Sequence, residues 1–456
     1  MRIGLALAVP LFIASLTSSA APAAEIGDKN FTADDLFQMT RIWKVELTFT
    51  PEQWTNLAPR KVSAPSGSVL TGAPGLRNGL QGAAGMEYEW VHADLKIDGL
   101  EFKDIAVRYK GNGTYQKGQL SGKISFKLAL NKYVKGQKLA KMDKLNLANE
   151  ISDSTWMNEN ISYKLFRDAG IPAPRTAYAR VFITITGQKP QFYRGLYSLV
   201  EEVDPLFLSR WFPTKDGALF KPVMPVPFTF MGEDWEKYKQ SYDPKVDLTD
   251  EQKKRMIDFT RLIATADDAT FAKQIGDYID IDETARFLAV SVYAMDYDSI
   301  LLNGQNYYVY QDTKTNRYSF TAWDQDETFA KVGFGYGTLP DLSIVQPHRP
   351  NNRFLVRLFA LEAFRTPYLK AIAEFSNTIF NPESLAAEVD LLAAAIRPAV
   401  KEESESALAM FDAAASGDSF FSPLTSSFIL PLKSFAQLRK ENVTEQLTKI
   451  ALPGKN

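Results

Sequence analysis

The chain has 456 residues, 45% of them hydrophobic, and a formal net charge of -2 at pH 7. This length suits one large domain or two, and the near-neutral charge argues against a nucleic-acid partner. The absence of Cys excludes cysteine nucleophiles and thiolate zinc sites. A Ser-His-Asp triad would need His92 or His348, the two histidines, and the sequence offers neither of them a Gly-x-Ser-x-Gly partner.

The first residues are typical of a secretory signal peptide. Arg2 supplies the positive start, Ile3–Leu16 is apolar, and small residues suitable for cleavage follow. The apolar stretch is too short to span a membrane comfortably. We therefore expect residues 1–24 to be a signal peptide cleaved near Ala23-Ala24. The mature chain is then expected to be secreted or periplasmic, with no membrane span.

The next part of the chain predicts strands. Trp43–Thr50 alternates apolar and polar residues, as a half-buried strand does, and three more strand candidates follow. These candidates are Glu89–Ile97, Phe102–Tyr109 and Lys123–Leu130. Residues 63–85, rich in Gly, Ala, Pro and Ser, predict a loop. The Gly-rich segment 110–122 predicts a strand-loop-strand whose backbone N–H groups approach phosphates, with a plain surface hairpin as the alternative.

A helix is predicted at Thr155–Ala169, capped by Asp153 or Ser154 and ended by Gly170. Two strands, a short helix and a short strand are expected next, at Ala179–Thr186, Phe192–Val200, Pro205–Phe212 and Ala218–Lys221. Helical spacing then dominates, over Glu251–Ala264, Ala269–Gln274, Asp282–Met295, residues 353–409 and Phe435–Ile450.

Between these helices lies a predicted hairpin with acids and amides at both ends. Its turn, Asp312–Asn316, joins two short runs rich in Tyr, Phe, Thr and Val. Folding about this turn brings Asn303–Asn306 beside Trp323–Asp326. Carboxylate and amide oxygens clustered in this way suit a hard divalent cation, Mg²⁺ or Mn²⁺.

The order of these groups matches phosphoryl transfer by protein kinases. In those enzymes a base Asp precedes a metal-binding Asn by five residues, and a second metal-binding Asp follows a hairpin. Asp298 and Asn303 have this spacing, and Asp324 follows the hairpin. Because no His-Arg precedes Asp298, Asp296 is a competing candidate for the base.

Seven stretches, in order along the chain, carry a resemblance to a known family: Val107–Thr114, Gly122–Leu128, Lys144–Leu147, Asn160–Arg175, Gly195–Asp204, Asn306–Tyr310 and Trp323–Asp326. Together they resemble the spore-coat protein H (CotH-type) family of secreted atypical protein kinases. The resemblance runs from about Trp43 to Leu447. It implies ATP-dependent phosphorylation of proteins outside the cytoplasm, with ATP and Mg²⁺ or Mn²⁺ as cofactors and a protein phosphoacceptor as partner.

The resemblance also implies roles for individual residues. Lys123 resembles the lysine that reaches the nucleotide phosphates, and Arg108 and Lys110 are alternatives. Glu201 resembles the acid that pairs with this lysine, and Glu202 is its rival.

On the acidic side, the resemblance implies that Asp298 is the base. The metal would be held by Asp324 with Asn303 or Asn306, and Asp326 would be a second-metal or outer ligand. Two other functions are weighed: a non-catalytic surface or adhesion protein on this scaffold, and a carboxylate-pair glycosidase. Asp324 and Asp326 are two apart on a probable strand end and point the same way, so a glycosidase would need carboxylate partners from elsewhere.

Segregated strands and helices predict an α+β fold. The resemblance implies a two-lobed atypical kinase-like architecture, with a strand-rich N-terminal lobe at 25–222 and a helix-rich C-terminal lobe at 223–456. The Gly-rich loop belongs to the first lobe and the metal-site hairpin to the second. Nucleotide is expected between Lys123 in one lobe and Asp324 in the other.

Overall fold

The computed structural model describes residues 26–61, 78–83, 85–329, 340–416, 420–422 and 427–450. The predicted signal peptide, residues 1–24, lies outside the described residues. So does most of the loop predicted at 63–85.

The strands, in chain order, are β1 (Ile42–Phe49), β2 (Arg60–Lys61), β3 (Met86–Glu87), β4 (Val91–Ile97), β5 (Leu100–Tyr109), β6 (Phe126–Ala129), β7 (Lys144–Ala148), β8 (Thr176–Ile185), β9 (Lys189–Glu201), β10 (Ala218–Phe220), β11 (Tyr307–Gln311), β12 (Tyr318–Ala322), β13 (Phe420–Ser422) and β14 (Ser427–Ile429).

The helices are α1 (Ala33–Leu36), α2 (Pro51–Asn56), α3 (Gly79–Ala83), α4 (Gly113–Ser121), α5 (Asn158–Asp168), α6 (Pro205–Trp211), α7 (Glu236–Tyr242), α8 (Asp250–Thr265), α9 (Asp268–Tyr278), α10 (Ile281–Tyr293), α11 (Arg353–Ala360), α12 (Glu362–Asn377), α13 (Pro382–Glu403), α14 (Glu405–Ser416) and α15 (Leu432–Thr448).

Seven strands close into a barrel in the order β1-β4-β5-β6-β7-β9-β8. The closing pair, β1 with β8, is parallel, and the other neighbours are antiparallel. Alternate residues of β1, such as Val45 and Leu47, are buried, and they belong to an apolar cluster with alternate residues of the other barrel strands. The predicted period-two pattern therefore places one face of each strand inside the barrel and the other outside.

The outer face of the barrel carries a polar row across three strands. Arg108 on β5 pairs in register with Lys127 on β6, and Lys127 pairs with Asn146 on β7. Strand β7 was not among the predicted strands. Its five residues complete the surface on which the candidate site is built.

The Gly-rich segment differs from its prediction as a strand-loop-strand. It forms the nine-residue helix α4, which Gly122 ends in the left-handed conformation, with φ of 69°. Gly111, also left-handed at φ 97°, leads into the helix. These glycines supply the conformations needed at both ends of a short helix, so the segment need not stay an open loop.

The predicted acidic hairpin is confirmed. β11 and β12 pair antiparallel with Tyr307 opposite Ala322, and the Trp323 N–H donates to the Asn306 carbonyl at 3.1 Å. β10 adds a third strand beside β11, although it precedes the predicted lobe boundary at 222.

Buried apolar side chains in the described residues form two clusters, one inside the barrel and one joining the helices to the three-stranded sheet. The α+β class is therefore confirmed. Within the described residues, no helix is both long and apolar enough to cross a bilayer.

Candidate active site

A cavity of about 630 Å³ lies between the outer face of the barrel, α4, the start of α5 and the end of the β11–β12 hairpin. Charged side chains of both signs line it. The cationic residues are Arg108, Lys110, Lys117, Lys127, Lys144, Lys221 and Lys245. The acidic residues are Glu150, Glu159, Glu202, Asp204, Asp243, Asp298, Asp324, Asp326 and Glu327.

An ion pair between Lys127 and Glu202 forms one wall. The Lys127 ammonium donates to Glu202 Oε1 at 2.5 Å, and Asn146 Nδ2 donates to Glu202 Oε2 at 2.8 Å. Burial alone would raise the pKa of Glu202, but the charge and hydrogen bond of Lys127 outweigh it and lower the pKa to about 2. Glu202 is therefore ionised, and it fixes the Lys127 ammonium at the wall of the cavity.

The two residues that the resemblance favoured for this pair lie elsewhere. The Lys123 ammonium donates to Glu403 of α13 at 2.7 Å and does not line the cavity. Glu201 accepts from Arg175 and Arg210. Since Glu201 and Glu202 are adjacent near the end of a strand, their side chains point to opposite faces, and only Glu202 faces Lys127.

Two lysines of the cavity lie next to an aromatic ring. The ammonium groups of Lys110 and Lys221 lie 5.0 and 5.2 Å from the centre of the Trp323 ring. Within the described residues neither lysine has a carboxylate in ion-pair range. Burial lowers the pKa of Lys221 to about 7, against the opposing charge of Asp324. An anionic ligand would supply the negative counter-charge that no carboxylate of the described residues gives to these two lysines.

Asp298 lies at the cavity wall and is held by three side-chain amides. Its Oδ1 accepts from Asn303 Nδ2 at 2.7 Å and Gln305 Nε2 at 2.5 Å, and its Oδ2 accepts from Asn306 Nδ2 at 2.8 Å. Burial raises the pKa of Asp298 to about 6, although the amide hydrogen bonds oppose this shift. Asp296 is also buried, but it accepts from Gln325 at 3.0 Å and does not line the cavity.

The predicted metal ligands are not equally placed. Asn306, Asp324 and Asp326 line the cavity, and Asn303 does not. Asn303 Oδ1 accepts from Arg349 at 3.0 Å, so its oxygen is already engaged. By contrast, no hydrogen bond or ion pair from the described residues engages the Asp324 carboxylate.

Two more acids with unsatisfied oxygens lie in the same cavity. Glu150 and Glu159 are each 3% exposed, and in the described part of the chain no donor meets hydrogen-bond geometry at either oxygen of Glu150 or at Oε2 of Glu159. The Ser198 hydroxyl lies near enough to Glu150, and Glu150 near enough to Glu159, to oppose the rise in their pKa values. Burial and then the neighbouring acids raise the pKa of Glu150 well above its ordinary value. Buried oxygens of this kind need a proton or a cation nearby, so the donor set fits a hard divalent ion.

Such an ion would need mixed ligands. In the described part of the chain, no three acidic or histidine side chains form a metal site by themselves. Mg²⁺ commonly takes one or two carboxylates and completes its shell with water and substrate phosphate oxygens. The Asp324 carboxylate, the amide oxygen of Asn306 and nearby acids are compatible with this pattern.

Sequence reasoning missed several of these residues. Lys127 was detectable, because in Phe126-Lys127-Leu128 it alternates with two apolar residues and must point away from the barrel interior. Glu150, Glu159 and Lys221 carried no local signal. They enter the site only through the packing of α5 and β10 against the hairpin.

Comparison with known proteins shows which family this sequence resembles. The sequence model of the family described as CotH kinase protein matches residues 107–418, which include the polar row, α5 and the hairpin. The chain is 25% identical over 302 residues to inner spore coat protein H of Bacillus subtilis (strain 168), covering 65% of this chain and 78% of that protein. Because the family match covers more than half of the sequence, this chain belongs to the CotH kinase protein family.

Proposed function

We propose that this protein is a metal-dependent protein kinase that transfers the terminal phosphoryl group of ATP to a protein substrate outside the cytoplasm. One observation carries the proposal. A single cavity holds the Lys127–Glu202 ion pair on the barrel side and Asp298, Asn306 and Asp324 on the hairpin side. These residue types are the ones that phosphoryl transfer requires, in two groups facing one space.

In this proposal the barrel and the helical half act as the two lobes of a kinase-like fold. Each half has its own apolar cluster, and the cavity lies where the barrel faces the hairpin. The nucleotide lysine is Lys127 instead of Lys123, and its acid is Glu202 instead of Glu201. The secreted or periplasmic location rests on the sequence pattern of residues 1–24.

The cationic side chains have a direct electrostatic role. Lys127, Lys110 and Lys221 bring three lysine side chains to the cavity, and Glu202 holds the first in place. Lys221 has a pKa of about 7, and a bound phosphate chain would favour its charged form. Point cations fixed in a partly dry site offset the charge of a phosphate chain more strongly than they would in water. Mg²⁺ or Mn²⁺, held through Asp324 and Asn306, would add positive charge on the opposite side of the cavity.

Asp298 is assigned to the substrate hydroxyl. Its two oxygens are fixed by amide donors, so the carboxylate cannot rotate freely. With a pKa of about 6, it is largely ionised at neutral pH and able to accept a hydrogen bond or proton from an incoming hydroxyl group. Phosphoryl transfer depends mainly on such positioning and on charge stabilisation.

The test compares two lysines on the same segment. Lys127→Met removes the proposed phosphate contact, whereas Lys123→Gln changes a lysine outside the cavity and keeps a hydrogen-bond donor near Glu403. Calorimetric titration with ATP and Mn²⁺ should show at least about tenfold weaker binding for Lys127→Met, about 1.4 kcal/mol, and little change for Lys123→Gln. Circular dichroism confirms that both variants are folded.

The alternative is a non-catalytic binding protein on the same scaffold. The Bacillus relative is named as a spore coat protein, which favours keeping this candidate. If the wild-type chain binds no ATP with Mn²⁺ present and incorporates no phosphate into any protein, the kinase proposal fails and the binding role becomes the better one.

A further inference from the structure

Asp324 has an unusual backbone conformation. Its φ is 57°, in the left-handed region that residues with a side chain seldom adopt. Its carboxylate meets no hydrogen-bond donor or ion-pair partner from the described residues. Side-chain contacts of Asp324 therefore do not hold this backbone conformation. The conformation must therefore be maintained through the backbone, and the main-chain hydrogen bond of Asp324 identifies how.

The Asp324 N–H donates to the Tyr163 hydroxyl oxygen at 2.9 Å. The Tyr163 hydroxyl in turn donates to Glu159 Oε1 at 2.9 Å. Because the phenol oxygen already accepts the Asp324 N–H, its own proton is directed to Glu159. Tyr163 is fully buried and Glu159 is 3% exposed, so water does not compete for either bond.

Glu159 and Tyr163 are one turn apart on α5. Other side chains of this helix form hydrogen bonds with the residues that follow Asp324. Asn158 Nδ2 donates to the carbonyls of Asp326 and Thr328, both at 3.3 Å. The Ser162 and Thr328 hydroxyl groups are 2.8 Å apart. One face of α5 therefore fixes the acidic segment along its length, and Tyr163 holds the residue whose carboxylate reaches the cavity.

Helix α5 is itself tied to the barrel. Asn160 Nδ2 donates to the Ser198 hydroxyl of β9 at 2.7 Å, and the Tyr178 hydroxyl of β8 donates to the Trp156 carbonyl, just before α5, at 2.8 Å. Helix α5 therefore fixes the position of Asp324 relative to the barrel that carries Lys127. This link relates the two charged walls of the cavity through hydrogen bonds as well as through apolar packing.

We propose that Tyr163, oriented by Glu159, is a positioning residue that sets the backbone of Asp324 so that its carboxylate points into the cavity to bind a divalent cation. The inference rests on the proposed function. Groups that orient a metal ligand without touching the metal commonly change metal affinity 10–100-fold when they are removed. Only the hydroxyl group is needed for this role, since phenylalanine would fill the same apolar volume.

The experiment is a titration of the full chain with Mn²⁺ alone. Electron paramagnetic resonance measures the concentration of free Mn²⁺ at each step. Tyr163→Phe should bind Mn²⁺ about 10–100-fold more weakly than wild type. The matched control is Tyr293→Phe, which removes another buried hydroxyl, 3.1 Å from the Ser376 hydroxyl, from a residue that does not line the cavity. This control should retain wild-type Mn²⁺ affinity.

Binding of ATP in the absence of metal separates positioning from general damage. It should be unchanged in Tyr163→Phe, because the lysines that line the cavity are untouched. Equal Mn²⁺ affinity in Tyr163→Phe and wild type overturns the inference and leaves the proposed function standing. If wild type binds Mn²⁺ only when ATP is present, the same variants are compared with ATP present, because phosphate oxygens then complete the shell. If wild type binds no Mn²⁺ in either case, the proposed function fails and the inference fails with it.

A second pair of variants applies if Tyr163→Phe does not fold. Glu159→Gln keeps an oxygen that accepts the Tyr163 proton, and Glu159→Leu removes it. Mn²⁺ affinity should fall at least about tenfold further in Glu159→Leu than in Glu159→Gln. Equal affinities in these two variants would contradict a role for the Tyr163–Glu159 bond.

Discussion

At the scale of single residues, neighbouring side chains of the same type have different surroundings. Asp298 lies at the cavity wall among three amides, and Asp296, two residues earlier, is buried against Gln325. The same contrast separates Lys127 from Lys123. In each pair, access to the cavity distinguishes the functional candidate from the structural residue.

The two aspartates give the first prediction. Asp298→Asn should lower the rate of phosphate incorporation about 10²- to 10⁴-fold, the usual contribution of a positioned acid-base group. Its affinity for ATP with Mn²⁺ should change much less, because the contact proposed for Asp298 is with the substrate hydroxyl and not with the nucleotide. Asp296→Asn should retain more activity. The measurement is radiolabelled phosphate transfer, and an inactive Asp296→Asn beside an active Asp298→Asn would reverse the assignment.

A buried glutamate outside the site gives a pH prediction. Glu283 Oε2 accepts from Ser319 at 3.2 Å, its buried Oε1 has no partner among the residues that the structure describes, and burial raises the pKa of Glu283 to about 7. Because the pKa of Glu283 is higher in the folded than in the unfolded protein, its proton stabilises the folded state. This stabilisation is fully present at pH values below the unfolded pKa and is lost as the pH rises through about 7.

Glu283→Gln should therefore be more stable than wild type at pH 8, by about 2 kcal/mol, and should lose this advantage near pH 4.5. Urea unfolding at both pH values measures the difference. A gap between variant and wild type that does not change with pH would contradict the assignment.

At the scale of elements, α4 shows how a glycine-rich sequence forms a tightly packed helix. A Cβ built on Gly118 would lie 2.5 Å from the Lys123 carbonyl oxygen and 3.1 Å from Asn149 Nδ2. A Cβ built on Gly276 in α9 would have no atom of the described residues within 4 Å, apart from its own helix backbone and chain neighbours. Close packing therefore requires glycine at Gly118, whereas Gly276 has room for a methyl group.

This comparison gives an element-scale prediction. Gly276→Ala should stabilise the protein by about 0.5–1 kcal/mol, as alanine does inside helices. Gly118→Ala should instead destabilise it by about 1–3 kcal/mol and should weaken ATP binding, because α4 lines the cavity. Thermal melting and nucleotide titration of both variants test this. Equal stabilisation by the two substitutions would show that α4 has more room than the contacts indicate.

The hairpin was predictable because its contacts are local. The turn Asp312–Asn316 and the two runs rich in Tyr, Phe, Thr and Val beside it are sufficient to predict that Asn306 lies next to Trp323. The lysine assignment was not fixed locally, since Lys123 is held by Glu403, far along the chain in α13. The outward direction of Lys127 follows from strand alternation, but its partner depends on which barrel strands are neighbours.

At the scale of the whole molecule, the end of α13 joins the helical half to the barrel. Glu403 Oε1 accepts from Lys123 at 2.7 Å and from the Leu196 N–H at 2.5 Å, and the Tyr193 hydroxyl donates to the Ala399 carbonyl at 3.0 Å. The Lys123 and Glu403 side chains are 8% and 15% exposed. The pair is therefore an internal connection between the two halves.

Breaking this connection should be costly. Glu403→Gln leaves a buried ammonium without its counter-charge, so we expect a loss of about 3 kcal/mol in the free energy of unfolding. A double variant that combines Lys123→Met with Glu403→Leu should recover much of the lost free energy of unfolding, because no buried charge remains unpaired. Urea unfolding of the three proteins measures both effects. A double variant no more stable than Glu403→Gln would contradict the ion-pair explanation.

The parallel pairing of β1 with β8 has a consequence for biosynthesis. β1 obtains its antiparallel neighbour β4 early, but its other edge stays open until Thr176–Ile185 has been synthesised, after α4 and α5. Such long-range pairing slows folding and leaves a strand edge exposed to other nascent chains. Ribosome-bound fragments that end before Thr176 should therefore be trapped by chaperones, whereas fragments that extend past β9 should resist proteolysis.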